Sequence, residues 1–479
     1  MRKGLVLNLI SNIVFFVAGY VIHYFLGNTM PAASYGIVGT IMTVLDFEYL
    51  FLSNGARQSL SKEISMRRFD IGDVIRKSIM FQLLLVLVFF AINFFGAPLF
   101  GIVLNDSSLD FYFRIAAFLV PANGMYVLLL GINEGIQRFS TSALISTIYP
   151  VAKLSVIPLI IFVFRNDPVA GVEIGYLLAL LFCIVLGCLS LIRHRGELHS
   201  TGGEKIRFGT VAHNTLSFSV FFIVVSLVLS MDTLVVKSVV EPASMTGYYT
   251  GAVNFGKLSY YLMTAFFTII LPVVAKAIGE HDTDTAIKRV KEFLLLIAVF
   301  ILPIPVVISA SSENLLVSFY HTDFAVAAPA LSFLSLSSFF MGMTVLLNMV
   351  HTNFASNRFS DVLSVVSLVV VIPLFIVAGK LGGITWIAAA SMCATLLTMI
   401  ASYCAVVRKT GNLITGKVSI AVIGAIALWV IVRILFSTVL HTTNLFALAG
   451  LYAAVYAVYI GIMVATKVVS VPKELLKRN

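Results

Sequence analysis

The chain has 479 residues, of which 59% are hydrophobic and 11% charged, with a formal charge of +10. Soluble domains carry roughly a quarter charged residues, so a water-soluble globule is excluded, and a mean hydropathy of +1.02 marks an integral membrane protein. About 20 apolar residues cross a hydrocarbon core of about 30 Å as a helix, whereas a barrel strand would alternate over about 10; runs such as FQLLLVLVFFAINFFGAPLF (81–100) are apolar on every side.

Fourteen helical spans are predicted, and the first two, at 4–27 and 36–55, open the chain. Span 1 follows MRK, lacks a small-residue cleavage site and is expected to stay as a signal anchor. It sets Asn8, Asn12, Gly19 and His23 on one face; His23 there is either a packing residue or a cavity residue. Span 2 carries Asp46 on the face of Gly39, Thr43, Tyr49 and Ser53. Asp46 is the candidate for proton or cation coupling, or the neutralising partner of a buried lysine. Glu48 points about 200° away around the helix, so the two acids do not face each other. The polar segment 57–77 that follows can lie on a membrane surface through Leu60, Ile64 and Ile71, or act as a charge cluster that sets topology.

Spans 3 to 6 cover 78–103, 111–133, 142–164 and 169–192. Arg114, near one end of span 4, is either a cavity cation or an interfacial anchor. In span 5, Ser142, Ser146, Tyr149 and Lys153 share a face, and Pro150 and Pro158 predict bending. Ionisable groups inside a membrane are costly and default to functional candidates. Lys153 is therefore a candidate for the substrate path, though the same position suits a snorkelling or carboxylate-paired lysine. The linker RHRGELHSTGGEKIR (193–207) reads as a solvated tether.

Spans 7 to 12 cover 210–231, 244–274, 293–312, 325–350, 361–379 and 382–407. Span 8 carries Thr250, Asn254, Lys257, Tyr261 and Thr264 in steps of 4, 3, 4 and 3, a single helical face. Lys257, Asn254 and Tyr261 are the matching cavity candidates in this half. Ser337, Thr344, Asn348 and His351 line one face of span 10, which serves a cavity or simple helix packing. Spans 13 and 14, at 416–438 and 444–466, add Arg433 and no polar stripe. All four cysteines fall inside spans at spacings that match no thiolate metal site.

Of the 32 Lys and Arg, 25 fall on one side of this map and only Arg165, Lys237 and Lys380 on the other; Lys153, Lys257, Arg114 and Arg433 lie within spans. The positive-inside rule then puts both termini in the cytoplasm. With no soluble face to gather the basic residues, a nucleic-acid partner is excluded.

The chain repeats itself. PAASYG (31–36) and PASMTG (242–247) follow spans 1 and 7, QRFS (137–140) and NRFS (357–360) precede spans 5 and 11, and VIPL recurs at 156–159 and 371–374. Three pairs in one order, 211, 220 and 215 residues apart, define two six-span lobes of parallel topology. The expected divisions are 1–200, 201–410 and a C-terminal pair of helices with a tail, 411–479. The fold class is thus all-α integral membrane.

With GIQRFS, ASNRFS and GKLGGITWIAAASM (379–392), this layout resembles the polysaccharide transporter family of the superfamily that also holds multidrug and toxin extruders. The resemblance implies alternating access between two lobes and flipping of polyprenyl diphosphate-linked oligosaccharides across a bacterial plasma (inner) membrane for surface polysaccharide synthesis, O-antigen being one such product. It also implies that spans 13 and 14 take the polyprenyl tail. Membrane lipids and polysaccharide polymerase machinery are candidate partners. No cofactor and no metal is expected, and a proton or sodium gradient is the candidate drive. No P-loop, metal-ligand spacing or nucleophile motif argues for an enzyme. The alternatives are a cation-coupled multidrug exporter, disfavoured because span 1 has no acid, and a peptidoglycan-precursor (lipid II) flippase, disfavoured because spans 1 and 2 have no arginine.

Overall fold

The computed structural model describes residues 2–198, 204–354, 358–438, 440 and 443–469. These residues are helical apart from turns and one isolated bridge, Phe69 to Glu204. Nine helical stretches among them are long and apolar enough to cross a membrane, and the protein is a multi-pass membrane protein. The chain divides into two compact units, Met1–Val239 and Val240–Asn479.

The first unit contains α1 (Arg2–Thr29), α2 (Ala32–Phe51), α3 (Gln58–Met66), α4 (Ile71–Phe95), α5 (Ala97–Val103), α6 (Leu109–Ala116), α7 (Leu119–Gly135), α8 (Phe139–Lys153), α9 (Val156–Phe162), α10 (Pro168–Arg193) and α11 (Phe208–Val239). Its centre is α7, which packs on α10, α3 and α4 and buries most of its residues, whereas most of α4 is not buried. Helix α1 lies on α8, and α11 on α2.

Prolines set the breaks in this unit. A proline at position i cannot bond the carbonyl of residue i−4 and crowds it. Pro121 frees the carbonyl of Ala117, and the chain turns between α6 and α7, with the Val120 amide taking that oxygen at 3.2 Å. Pro158 frees the carbonyl of Leu154, which accepts from the Ile157 amide at 3.0 Å, and span 5 divides into α8 and α9. In hydrocarbon each freed group must find such a replacement. The break leaves Lys153 as the last residue of α8.

The segment after span 2 is not a membrane-surface helix, and that expectation is corrected. Leu60, Ile64 and Ile71 are 1%, 1% and 5% exposed and belong to one core cluster with Val74, Leu128 and Ile132. Burying each such side chain contributes about 1.5–3 kcal/mol, whereas a basic residue near anionic lipid contributes about 1 kcal/mol, so core packing prevails. Gly135 allows the approach, since a Cβ there would stand 2.7 Å from Ile64 Cβ. The described end of the linker is also packed rather than solvated. Ile206 is 1% exposed in the same cluster, and the Asp70 amide donates to the Glu204 carbonyl at 2.9 Å.

The second unit contains α12 (Ser244–Gly256), α13 (Leu258–Gly279), α14 (Thr283–Leu296), α15 (Pro303–Ala310), α16 (Ser312–Phe319), α17 (Ala328–Phe354), α18 (Arg358–Thr410), α19 (Gly416–Thr438) and α20 (Leu445–Ala465). Its centre is α17, packed on α18, α13, α12 and α15, so the stretches expected as spans 4 and 10 lie at the centres of their units. Helix α18 is interrupted at Gly382 and Gly383, where φ 62° and ψ −146° at Gly383 demand glycine, and this is where the sequence reading separates two spans. The stretch before α15 is one π-helical turn, Ile297–Ile301, ahead of Pro303 and Pro305. On the polar face of span 10, Ser337 packs on α18, where it bonds Ser391 at 2.9 Å and Thr395 at 3.1 Å.

Helices α19 and α20 dock on this unit through a stripe absent from the sequence reading. Trp429 donates to Ser309 at 3.1 Å, Tyr452 and Ser311 bond at 2.6 Å, and Tyr456 donates to the Phe300 carbonyl at 2.9 Å.

Candidate functional site

In the first unit, four expected residues from three helices gather with tyrosines that the spacing argument did not select. Along α8 the face reads Ser142, Ser146, Tyr149 and Lys153. Ser142 donates to Glu134 at 2.8 Å, and Glu134 forms an ion pair with Arg57. Ser146 hydrogen-bonds Tyr126 of α7, whose ring lies 5.0 Å from that of Tyr149. At the end of the column the Lys153 ammonium stands 3.7 Å from the Tyr176 ring centroid of α10 and 5.5 Å from that of Tyr149.

The Asp46 carboxylate of α2 acts electrostatically on Lys153, Tyr49, Tyr149 and Tyr176, and His23 of α1 feels the Lys153 charge. His23 is fixed by a 3.0 Å hydrogen bond between Nδ1 and the hydroxyl of fully buried Tyr35. Asn8 and Asn12, expected on the same face as His23, have side chains outside the described residues. Glu48 turns away from this group, as its angular position required: it is 2% exposed and accepts from Asn93 of α4 at 2.7 Å.

Among the described residues Lys153 makes no ion pair. A cation over aromatic faces is held by about 0.5–2 kcal/mol, little enough for an incoming anion to take it over. Tyrosine rings beside it offer flat apolar faces and hydroxyls, the chemistry that recognises sugars. The site can therefore hold an anion attached to a polar, ring-shaped group.

Arg114 does not join this group. It is exposed, paired with Asp110 one turn away at 2.8 Å, and 5.8 Å from the Phe94 ring centroid, the geometry of a surface anchor. In the second unit the expected face diverges. Lys257 falls between α12 and α13, half-buried, with no ion pair among the described residues. Asn254 turns inward and donates to Tyr320 at 3.2 Å, while Tyr261 is 43% exposed. The helix turn at Lys257 separates them.

The sequence reading missed Tyr126 and Tyr176. Their signal is weak but present: each is an isolated tyrosine deep in an apolar span, although tyrosine favours membrane interfaces. It also missed Lys237, which it placed in a loop. Helix α11 continues to Val239, and the Lys237 side chain, 3% exposed, pairs at 2.6 Å with Asp106 in the turn before α6. Burial alone would raise the Asp106 carboxyl, but hydrogen bonds from Lys237 and Ser108 outweigh it and hold the group below the usual carboxylate range.

The polysaccharide biosynthesis protein family matches residues 1–278. No curated protein matches the chain in sequence. Among solved structures the chain is similar to a lipid II flippase, MurJ, in an inward closed conformation, with a TM-score of 0.72 and 14% identity over 97% of this chain and 100% of that one. It is also similar to an inward-facing multidrug resistance MATE family transporter of the MOP superfamily, with a TM-score of 0.67 and 12% identity over 85% of this chain and 98% of that one. A MOP superfamily transporter from Pyrococcus furiosus gives 0.57 and 14% over 86% and 96%. These likenesses establish the transporter fold of that superfamily.

Proposed function

The chain belongs to the polysaccharide biosynthesis protein family, and from that premise we propose that it carries a polyprenyl diphosphate-linked oligosaccharide across a plasma membrane by alternating access. It is a transporter or flippase, as its family and structural neighbours are. The observation that supports this substrate class is the Lys153 site: an ammonium held over the faces of Tyr176 and Tyr149, with no ion pair among the described residues. The diphosphate takes the ammonium, and the sugars lie against Tyr149, Tyr126 and Tyr176. His23 completes this half, Lys257 with Tyr261 and Asn254 supplies polar groups in the other, and Asp46 couples transport to a proton or sodium gradient.

The span map and the Lys and Arg asymmetry support fourteen spans with both termini in the cytoplasm, arranged as two six-span repeats and two C-terminal helices. The apolar outer faces of α19 and α20 offer a path for the polyprenyl tail. Membrane lipids and polysaccharide polymerase machinery are the partners on this reading.

A second reading, transport of the peptidoglycan precursor lipid II, has in its favour that the MurJ likeness runs through nearly the whole chain. The test is lipid analysis of cells lacking the protein. Accumulation of a polyprenyl diphosphate oligosaccharide with loss of surface glycan is expected. Accumulation of lipid II selects the second reading, and an unchanged lipid pool with sensitivity to cationic drugs moves the function to multidrug export.

A further inference from the structure

Glu173 lies in α10, one turn before Tyr176, and is 1% exposed; neither carboxyl oxygen has a hydrogen-bond partner among the described residues. An ionised carboxylate at that place in a membrane-spanning helix loses its hydration and gains nothing in return, so the neutral acid is the form that fits. A buried, unpartnered acid is not explained by packing, since an apolar residue of that size would fill the place better.

The surroundings say how a proton would reach it. Helix α10 starts beneath Asp167, which caps it by accepting from the Ala170 amide at 3.2 Å and also accepts from the Tyr112 hydroxyl at 3.0 Å. Six residues of helix are about 9 Å, so Glu173 stands about that far below this cap. Asp167 acts electrostatically on Glu173, and Glu173 on Tyr112. One turn further along is Tyr176, the ring beneath the Lys153 ammonium. The titratable groups on the helices packed against α10 are Tyr112 of α6, Tyr126 of α7, Tyr149 and Lys153 of α8, and Asp46 and Tyr49 of α2; α9 carries none. Tyr35, Glu48, Glu134 and Asp110 on those helices are engaged elsewhere, with His23, Asn93, Arg57 and Arg114.

We propose that Glu173 is a proton-binding site of the transport cycle, protonated in the conformation seen here and exchanging its proton with extracytoplasmic water past Asp167 and Tyr112. The carboxylic acid gives up H⁺ to water that enters past Asp167 and leaves a carboxylate one turn from the ring that carries Lys153. That negative charge draws on the ammonium, whereas the protonated acid leaves it for an anionic ligand. Protonation of Glu173 and diphosphate occupancy at Lys153 therefore favour each other. This linkage rests on the substrate proposed above; the proton site itself does not.

Infrared difference spectroscopy on the full-length protein in lipid tests the site. The expected result is a carboxylic acid carbonyl band at neutral pH that is lost in Glu173→Gln and shifted, not lost, in Glu173→Asp. A spectrum without that band, or with one untouched by Glu173→Gln, overturns the proposal. The linkage is tested in proteoliposomes with a polyprenyl diphosphate oligosaccharide: wild-type flipping should vary from mildly acid to mildly alkaline external pH, and Glu173→Gln should flatten that dependence. An unaltered pH profile in Glu173→Gln overturns the linkage. If the wild type moves no such lipid at any pH, the substrate reading fails while the spectroscopic result still decides the proton site.

Discussion

The Lys153 ammonium stands 3.7 Å from the centroid of the Tyr176 ring, which joins the end of α8 to the middle of α10 through a cation and an aromatic face. The contact exists because α8 ends where it does. Were span 5 one unbroken helix, Lys153 would be an interior helix residue; the turn that Pro158 imposes makes it a terminal one.

Tyr176→Phe keeps the ring face and should export normally. Tyr176→Leu removes it, and the loss of about 1–2 kcal/mol of cation–π attraction predicts roughly a five- to thirty-fold fall in flipping rate. Lys153→Gln should nearly abolish export at wild-type protein levels. Assay of surface glycan beside membrane protein abundance checks all three, and equal activity of Tyr176→Leu and Tyr176→Phe would remove the ring from the site.

Asp46→Asn keeps the shape of the side chain and deletes its charge, which acts on Lys153 and three tyrosines. Export in proteoliposomes should become independent of an imposed proton or sodium gradient. Undiminished gradient dependence in Asp46→Asn assigns the residue a neutralising role only.

Gly135→Ala puts a methyl group 2.7 Å from Ile64 Cβ, closer than side chains approach one another. Overpacking of this kind costs about 1–3 kcal/mol, so the melting temperature in detergent should fall. Adding Ile64→Ala should recover part of the loss, because it keeps Cβ but removes the Cγ2 and Cδ1 atoms that would stand 2.9 and 3.1 Å from the new methyl group. Simple addition of the two losses would mean that α3 is not docked here.

Removing Lys237 leaves Asp106 with its Ser108 hydrogen bonds but without its ion-pair partner. Breaking a buried pair costs about 3–5 kcal/mol, and Lys237→Ala should fall at the low end because the Asp106 side chain keeps 21% exposure. The Asp106 carboxyl is held below its unfolded value of about 3.9. Its contribution is therefore complete above that pH and is lost as pH falls through the lower folded value. Acid titration of stability should show this loss only below about pH 4, and Asp106→Asn should lack it.

Single cysteines at 153 and 257 should react with a water-soluble thiol reagent in at least one state of the cycle. Resistance of both in every state would mean that these lysines face helix packing and not a hydrated path.

How much of this was legible depended on the range of the interaction. The positions of Asp46, Tyr149, Lys153 and His23 on their faces follow from 3.6-residue periodicity, but which of them meet does not. Periodicity says nothing about a residue brought from another helix, so Tyr176, which completes the Lys153 site, was invisible until α10 was placed beside α8. At Lys257 the count assumed an unbroken helix, whereas the chain divides there into α12 and α13. The charged segment after span 2 misled because an amphipathic helix has the same pattern whether its apolar side meets lipid or α7. Lys237 was missed because span 7 was ended at 231, before Asp232, whereas α11 continues to Val239.

The sequence by itself determined that the chain spans a membrane repeatedly as helices, because apolar runs of that length admit no other way to satisfy backbone groups in hydrocarbon. It also contains short motifs that recur in the same order about 211 to 220 residues apart. Tertiary structure decided what identical motifs do. VIPL breaks the helix at 156–159, where it begins α9, yet at 371–374 it lies inside α18, which continues through Pro373. Proline removes the same hydrogen bond in both places; whether the helix then turns is set by the neighbours packed around it, and at α8 that turn delivers Lys153 to Tyr176.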